Sequence, residues 1–119
     1  MQDIEICGLV FRIDYRRTAD DHGPSIRVYG DVDGREVQLL RFDCFADDPH
    51  YHYDPTGRNV MFHLDTLTMG DPIDFSLSQI AANAQSMIEH AGFPQTAADV
   101  NQDELSARID EIGRAVRDG

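Results

Sequence analysis

The stretch from Ile26 to Phe45 reads IRVYGDVDGREVQLLRFDCF and decides the fold. Apolar and polar side chains alternate up to Val32, which is the period of a half-buried strand. Asp33-Gly34 follows, and an Asp-Gly pair between alternating runs predicts a hairpin because both central residues need positive φ. The returning strand covers Glu36 to Phe45. Because apolar residues occur on both of its faces, we predict that it is central and covered on each side.

The flanking segments predict two more strands. From Ile4 to Tyr15 the apolar residues change phase at Cys7-Gly8. One extra residue in a strand produces such a shift, so we predict a β-bulge near Gly8. The segment from Ala46 to Asn59 is rich in turn residues and predicts a long loop. Alternation returns from Val60 to Leu64 and predicts the last strand.

Two helices are predicted after the strands. Asp71 can cap the first, Pro72 suits its first position, and an apolar stripe runs from Leu77 to Ala91. Apolar residues at helical spacing from Leu105 to Val116 predict the second. The sequence therefore predicts a single α+β domain over residues 1–119, in which an antiparallel sheet of about four strands is followed by two C-terminal helices packed on it.

The charge of the chain limits the partners that it can bind. It has 22 acidic and 10 basic residues, all of the latter arginine, and a formal net charge of -12. We expect no direct binding to nucleic acid or to anionic membranes, because both depend on basic side chains. A basic protein partner fits this charge. Drift in a GC-rich genome or adaptation to salt would give a similar composition.

The sequence also predicts a cytoplasmic location. The first residues lack the regions of a signal peptide, and no apolar run is long enough to cross a bilayer. Cys7 and Cys44 are far apart, without the close pairing of a zinc or redox site, and are interpreted as structural thiols. The oligomeric state is left open by the sequence.

Side chains suited to metal binding concentrate between Leu40 and Asp65. His50 and His52 point the same way in an extended segment, and so do His63 and Asp65. Imidazole and carboxylate suit a divalent transition metal such as Zn or Mn, so these four residues are the predicted ligands. An exposed polar loop without a metal is the alternative interpretation.

Arg41, Asp43, His52 and His63 are the predicted catalytic residues. An arginine in a covered strand needs a carboxylate, and Asp43 lies two residues on, on the same face. A histidine held near a carboxylate can act as an acid or a base. The sequence contains no phosphate-binding glycine loop, nucleophile elbow or dinucleotide fingerprint, so no other cofactor is predicted.

The segment Leu40-Arg41-Phe42-Asp43, followed by Pro49-His50-Tyr51-His52, resembles part of a known family. It is similar to the Arg-aromatic-Asp and Pro-His-rich segment of small bacterial toxins of the TumE type, which occur in toxin-antitoxin pairs. The Arg-Phe-Asp-Cys-Phe core also resembles an uncharacterised family of small bacterial proteins. The resemblance implies functional roles for Arg41, Asp43, His50 and His52, and a toxin or defence setting.

Three hypotheses on function follow. The first is an acidic interaction protein of a toxin-antitoxin or phage-defence system, which binds a protein partner through its negative surface. The second is a small metal-dependent hydrolase or nuclease that uses the histidine and aspartate cluster. The third is a small-molecule binding domain in which His63 and Asp65 line a pocket beneath the helices.

Overall fold

The computed structural model describes residues 1–118, and within them a six-stranded antiparallel sheet is followed by five helices. The strands lie side by side in chain order: β1 (Gln2–Ile6), β2 (Leu9–Arg17), β3 (His22–Val32), β4 (Arg35–Asp43), β5 (His50–Tyr53) and β6 (Val60–His63). The helices are α1 (Thr66–Met69), α2 (Pro72–His90), α3 (Pro94–Ala98), α4 (Gln102–Ala107) and α5 (Ile109–Asp118). The predicted α+β class is confirmed, with more strands and helices than the sequence indicated.

A tight hairpin joins β1 to β2 where we predicted one bulged strand. Ile6 pairs with Leu9, and the two residues between them, Cys7 and Gly8, have φ of 45° and 83°. Residues that pair across a two-residue turn lie on the same face of the sheet, which produces the observed change of apolar phase. The predicted β-bulge near Gly8 is therefore wrong.

The hairpin at Asp33-Gly34 is confirmed, with φ of 54° and 81°. A bulge lies further along, because Val28 pairs with Leu40 whereas Tyr29 pairs with Gln38. The extra residue, Leu39, is thereby buried in the same core as Leu40. The bulge therefore explains why apolar residues occur in both alternating positions of β4. The predicted central position of β4 is confirmed, but the prediction that it is covered on each side is wrong, since Arg41 lies partly exposed on the other face.

A fifth strand lies within the segment predicted to be a loop. β5 has the sequence HYHY, and it pairs with β4 on one side and β6 on the other. Tyr51 stacks with aromatic rings of both neighbours, Phe42 and Phe62, on the face that the helices cover. The alternation of β5 is aromatic against imidazole rather than aliphatic against charged, so the usual strand signal was missed.

The helices cover one face of the sheet and leave the other face polar. α2 packs against β4 and β5, and α5 packs against β1, β2 and β3. α2 begins as predicted, because the Asp71 carboxylate accepts the N–H of Asp74 and Pro72 follows the cap. The last apolar stripe is divided at Arg108 into α4 and α5. Within residues 1–118, no helix combines the length and apolarity that crossing a membrane requires.

Candidate metal centre

The register of the sheet brings the predicted catalytic residues onto its polar face. Arg41 lies opposite His52, and Asp43 lies opposite His50, on the neighbouring strands β4 and β5. On the other side of Asp43, β3 places Ser25 directly opposite. Side chains of paired residues lie on the same face of an antiparallel sheet, so these groups form one patch.

The Asp43 carboxylate is the centre of this patch and is 1% exposed. Its Oδ1 accepts hydrogen bonds from Ser25 Oγ at 2.9 Å and from Arg16 Nη1 at 3.3 Å. Its Oδ2 accepts from Arg41 Nε at 3.1 Å and lies 2.9 Å from His50 Nε2. Burial acts to raise the pKa of Asp43, but the hydrogen bonds from His50 and Ser25 and the charge of Arg41 hold it well below its usual range.

Both ring nitrogens of His50 face acceptors. Nδ1 lies 2.8 Å from the backbone carbonyl oxygen of Asp48, and Nε2 lies 2.9 Å from the Asp43 carboxylate. Neither oxygen can donate, so each of these two contacts is a hydrogen bond only when the ring nitrogen carries a hydrogen. The hydrogen bond to Asp43 raises the pKa of His50, although partial burial opposes it. In this arrangement Nε2 must lose its proton before it can bind an ion.

His52 has a different hydrogen-bonding pattern, although it lies beside His50. Its Nε2 lies 3.0 Å from Arg41 Nη2, which can only donate, so Nε2 presents a lone pair. Its Nδ1 lies 2.7 Å from Oδ1 of Asn59 and therefore donates. Asn59 has a positive φ of 51° at the start of β6 and fixes the orientation of the ring.

Asp43, His50 and His52 have the geometry of a metal-ligand set. Their ligand atoms lie within 4.8 Å of one another, and Nε2 of His52 is 3.4 Å from the Asp43 carboxylate. Two ligands bound to zinc at about 2.0–2.1 Å in a tetrahedron are about 3.3 Å apart. Both histidines also donate their other ring N–H to an oxygen, as metal-binding histidines usually do. The guanidinium of Arg41 must leave His52 before an ion can bind there.

A second group consists of Asp48, His50 and His63 and is more exposed. His63 Nδ1 lies 2.7 Å from Oδ1 of Asp48, and the two side chains are 58% and 59% exposed. His50 belongs to both groups. Asp65 belongs to neither: its carboxylate accepts the backbone N–H of Leu67 and caps α1. Of the predicted ligands, His50 therefore lies beside both His52 and His63, and Asp65 lies outside both groups.

Several residues of the site were missed by the sequence analysis. Ser25, Arg16 and Asn59 complete the hydrogen bonds of the buried group. No short motif identifies them, because each comes from a different strand or loop. Only the strand register, which the sequence does not specify, could have indicated that Ser25 lies opposite Asp43.

Neither His63 nor Asp65, the residues of the predicted pocket, lines any of five clefts described within residues 1–118. The largest of these five, about 490 Å³, lies between the Asp33-Gly34 hairpin and α3. The other four measured clefts also lack both residues. His63 and Asp65 instead lie on an open surface, which offers a small molecule little enclosure.

The fold and the site define an α+β protein with a buried histidine and carboxylate cluster on the open face of its sheet. The family model "Domain of unknown function (DUF7700)" matches residues 3–116. The chain belongs to this family. Searches of curated proteins and of solved structures found no match. The resemblance to TumE-type toxins therefore stays a prediction.

Proposed function

We propose that Asp43, His50 and His52 bind a divalent transition-metal ion and that the protein is a small metal-dependent hydrolase. The observation that carries this proposal is the convergence of both Nε2 atoms on one carboxylate oxygen, at 2.9 and 3.4 Å. The anchored Nδ1 atoms support it, because they fix the direction of each Nε2. Imidazole and carboxylate ligands suit Zn or Mn.

Three protein ligands leave room for water or substrate, and an ion held in this way activates water for hydrolysis. Arg16 and Arg41 flank the ligands and are partly exposed. A guanidinium has five N–H donors, so each arginine retains free donors after its bonds within the cluster. We therefore assign to these arginines the binding of an anionic group of the substrate, such as a phosphate ester.

The guanidinium of Arg41 occupies a place that the ion would need. Its Nη2 bonds His52 Nε2 at 3.0 Å, where the ion would take the lone pair. Because Arg41 is partly exposed, its guanidinium can turn toward solvent while an ion occupies that place. The net charge of -12 favours the approach of a cation over the rest of the surface.

Calorimetric titration of chelator-treated protein with Zn and Mn salts tests this proposal. The key variants are His52→Ala, which disrupts only the buried group, and His63→Ala, which disrupts only the exposed one. We expect one ion per chain, a loss of affinity of about a hundredfold in His52→Ala, and a change below about threefold in His63→Ala. Absence of binding, or loss in His63→Ala alone, would contradict the proposal.

Hydrolysis is tested separately with p-nitrophenyl phosphate and bis-p-nitrophenyl phosphate. We expect turnover only after the metal is added, and none in His52→Ala. Thermal melts of each variant show whether the fold is retained. If the metal binds and neither ester is cleaved, the metal centre stands and phosphate ester hydrolysis is rejected.

A second candidate function is an acidic interaction protein of a toxin-antitoxin or phage-defence system. The observation that favours it is separate from the histidine cluster. It is the concentration of exposed apolar side chains at the β6 edge of the sheet.

A further inference from the structure

The last strand and the helix after it carry most of the exposed large hydrophobic residues described within residues 1–118. Seven large hydrophobic residues are exposed within residues 1–118, and five of them lie between Val60 and Met69. Leu67 in α1 is the extreme case, at 95% exposed. Exposed apolar side chains concentrated in one segment mark an interaction site in many proteins. We name the segment Val60–Met69 the apolar edge.

The backbone of β6 is also open to a further strand. Leu64 donates its N–H to Pro49, and hydrogen-bonded pairs alternate along an antiparallel ladder. The backbone groups of Phe62 and Val60 therefore form hydrogen bonds with β5. The backbone groups of Met61 and His63 point away from β5, toward the open edge of the sheet. Proteins usually protect such an edge with charge, Pro or a bulge. β1, at the opposite edge, carries Asp3 and Glu5, but β6 has the sequence VMFH.

The charge around the apolar edge indicates what binds there. Asp48 contacts His63, and Asp65 follows β6 directly. No Lys or Arg occurs from Asn59 to Ala107. Two copies of this chain, each with a net charge of -12, would bring their acidic flanks together if their β6 strands paired. A second copy of the chain is therefore repelled from the apolar edge. A basic segment of another protein, in contrast, has a charge complementary to the acidic residues around it.

We propose that the apolar edge binds an extended segment of another protein in which apolar and basic residues alternate. The segment adds to β6 as a seventh strand and pairs with the outward backbone groups of Met61 and His63. Its apolar side chains cover Val60 and Phe62 on one face. Its basic side chains reach Asp48 and Asp65. This site does not depend on metal binding.

The probe is a fluorescent decapeptide of alternating Val and Lys, with a Val and Glu peptide of the same length as its control. Fluorescence anisotropy at low salt measures binding to the full chain. We expect the Lys peptide to bind at least about tenfold more tightly than the Glu peptide, and more weakly as salt is added. Equal binding of both peptides, or no binding of the Lys peptide, would overturn the proposal.

Variants locate the site. Met61→Pro removes an outward N–H and leaves the ladder with β5 complete, so it should reduce binding at least about tenfold. Met61→Lys tests the same position by charge repulsion, in case the proline variant does not fold. Glu5→Pro is the matched control, because the alternation from the Ile6 and Leu9 pair directs the Glu5 N–H outward at the other edge. Unchanged binding in both Met61 variants, equal loss in Glu5→Pro, or a dimer of the free chain that Met61→Lys abolishes would each contradict this assignment.

Discussion

The two histidine groups share His50 but differ in how they are held. In the buried group, the Asp43 carboxylate accepts hydrogen bonds from Ser25, Arg16 and Arg41, and it also contacts the His50 ring. In the exposed group, Asp48 and His63 form one solvent-exposed contact of 2.7 Å between Oδ1 and Nδ1. Exposed pairs contribute little to stability, whereas breaking a buried one leaves charges without compensation. Similar residue types therefore give a rigid centre in one place and a loose surface in the other.

The largest effect is expected from Asp43→Ala. It leaves the cations of Arg16 and Arg41 without their shared anion and the His50 ring without its acceptor, so the free energy of unfolding should fall by about 3–5 kcal/mol. The matched change in the exposed group, Asp48→Ala, should alter it by less than about 0.5 kcal/mol. Urea denaturation measures both. If Asp48→Ala lowered the free energy of unfolding as much as Asp43→Ala, the buried group would be no more important for stability than the exposed one.

A smaller loss is expected from Ser25→Ala. The Ser25 hydroxyl donates to a buried carboxylate, and a hydrogen bond to a charged group contributes about 1.5–3 kcal/mol. Ser78→Ala is the control, since the Ser78 hydroxyl bonds the backbone carbonyl of Asp74 on an exposed helix face. The two variants are compared by urea denaturation in metal-free protein. Equal losses of unfolding free energy would show that the hydrogen bond from Ser25 to Asp43 contributes no more to stability than the exposed bond of Ser78.

The sequence predicted those parts of the fold that depend on neighbouring residues. Asp33-Gly34 specifies its own turn, and Asp71-Pro72 specifies the start of a helix. Cys7-Gly8 forms a turn of the same kind, but Cys rarely adopts positive φ, so the hairpin there was mistaken for a bulge.

For the candidate site, the sequence could indicate the residues but not their partners. Arg41 and Asp43 are two residues apart on one strand, so their pairing was predictable. The contact between Asp43 and His50 depends on the register of β5, a strand that local alternation did not reveal. Asp65 was expected to face the cluster, but its proximity to α1 in sequence makes it a helix cap instead.

Arg41→Gln tests whether the guanidinium competes with the ion. Removing a cation that bonds both His52 and Asp43 should tighten Zn binding about tenfold, or about 1.4 kcal/mol. Arg27→Gln is the control, because Arg27 lies opposite Arg41 but bonds Asp14. Its effect on affinity should stay below about twofold. Calorimetry measures both, and weaker binding in Arg41→Gln would show that Arg41 supports the centre rather than competing with the ion.

The smallest effect is expected from Asp21→Asn, which acts on His50 through the loop. The Asp21 carboxylate accepts the N–H groups of Asp47 and Asp48, and the Asp48 carbonyl in turn accepts Nδ1–H of His50. Loosening this loop should weaken Zn binding about threefold, less than the loss of a direct partner of the ligand. Asp20→Asn is the control, and an equal effect there would exclude this route.

The pH dependence of Asp21→Asn gives an independent check. Although desolvation opposes it, the backbone N–H groups of Asp47, His22 and Asp48 lower the pKa of Asp21 below its ordinary value of 3.8. A group whose pKa is lower in the folded state stabilises the fold above its unfolded pKa and loses that contribution as the pH falls through the folded pKa. The stability difference between the natural chain and Asp21→Asn should therefore be constant near neutral pH and shrink below pH 3.8. Urea denaturation across this range measures it, and a difference that grows with acid would show that the carboxylate does not hold the loop.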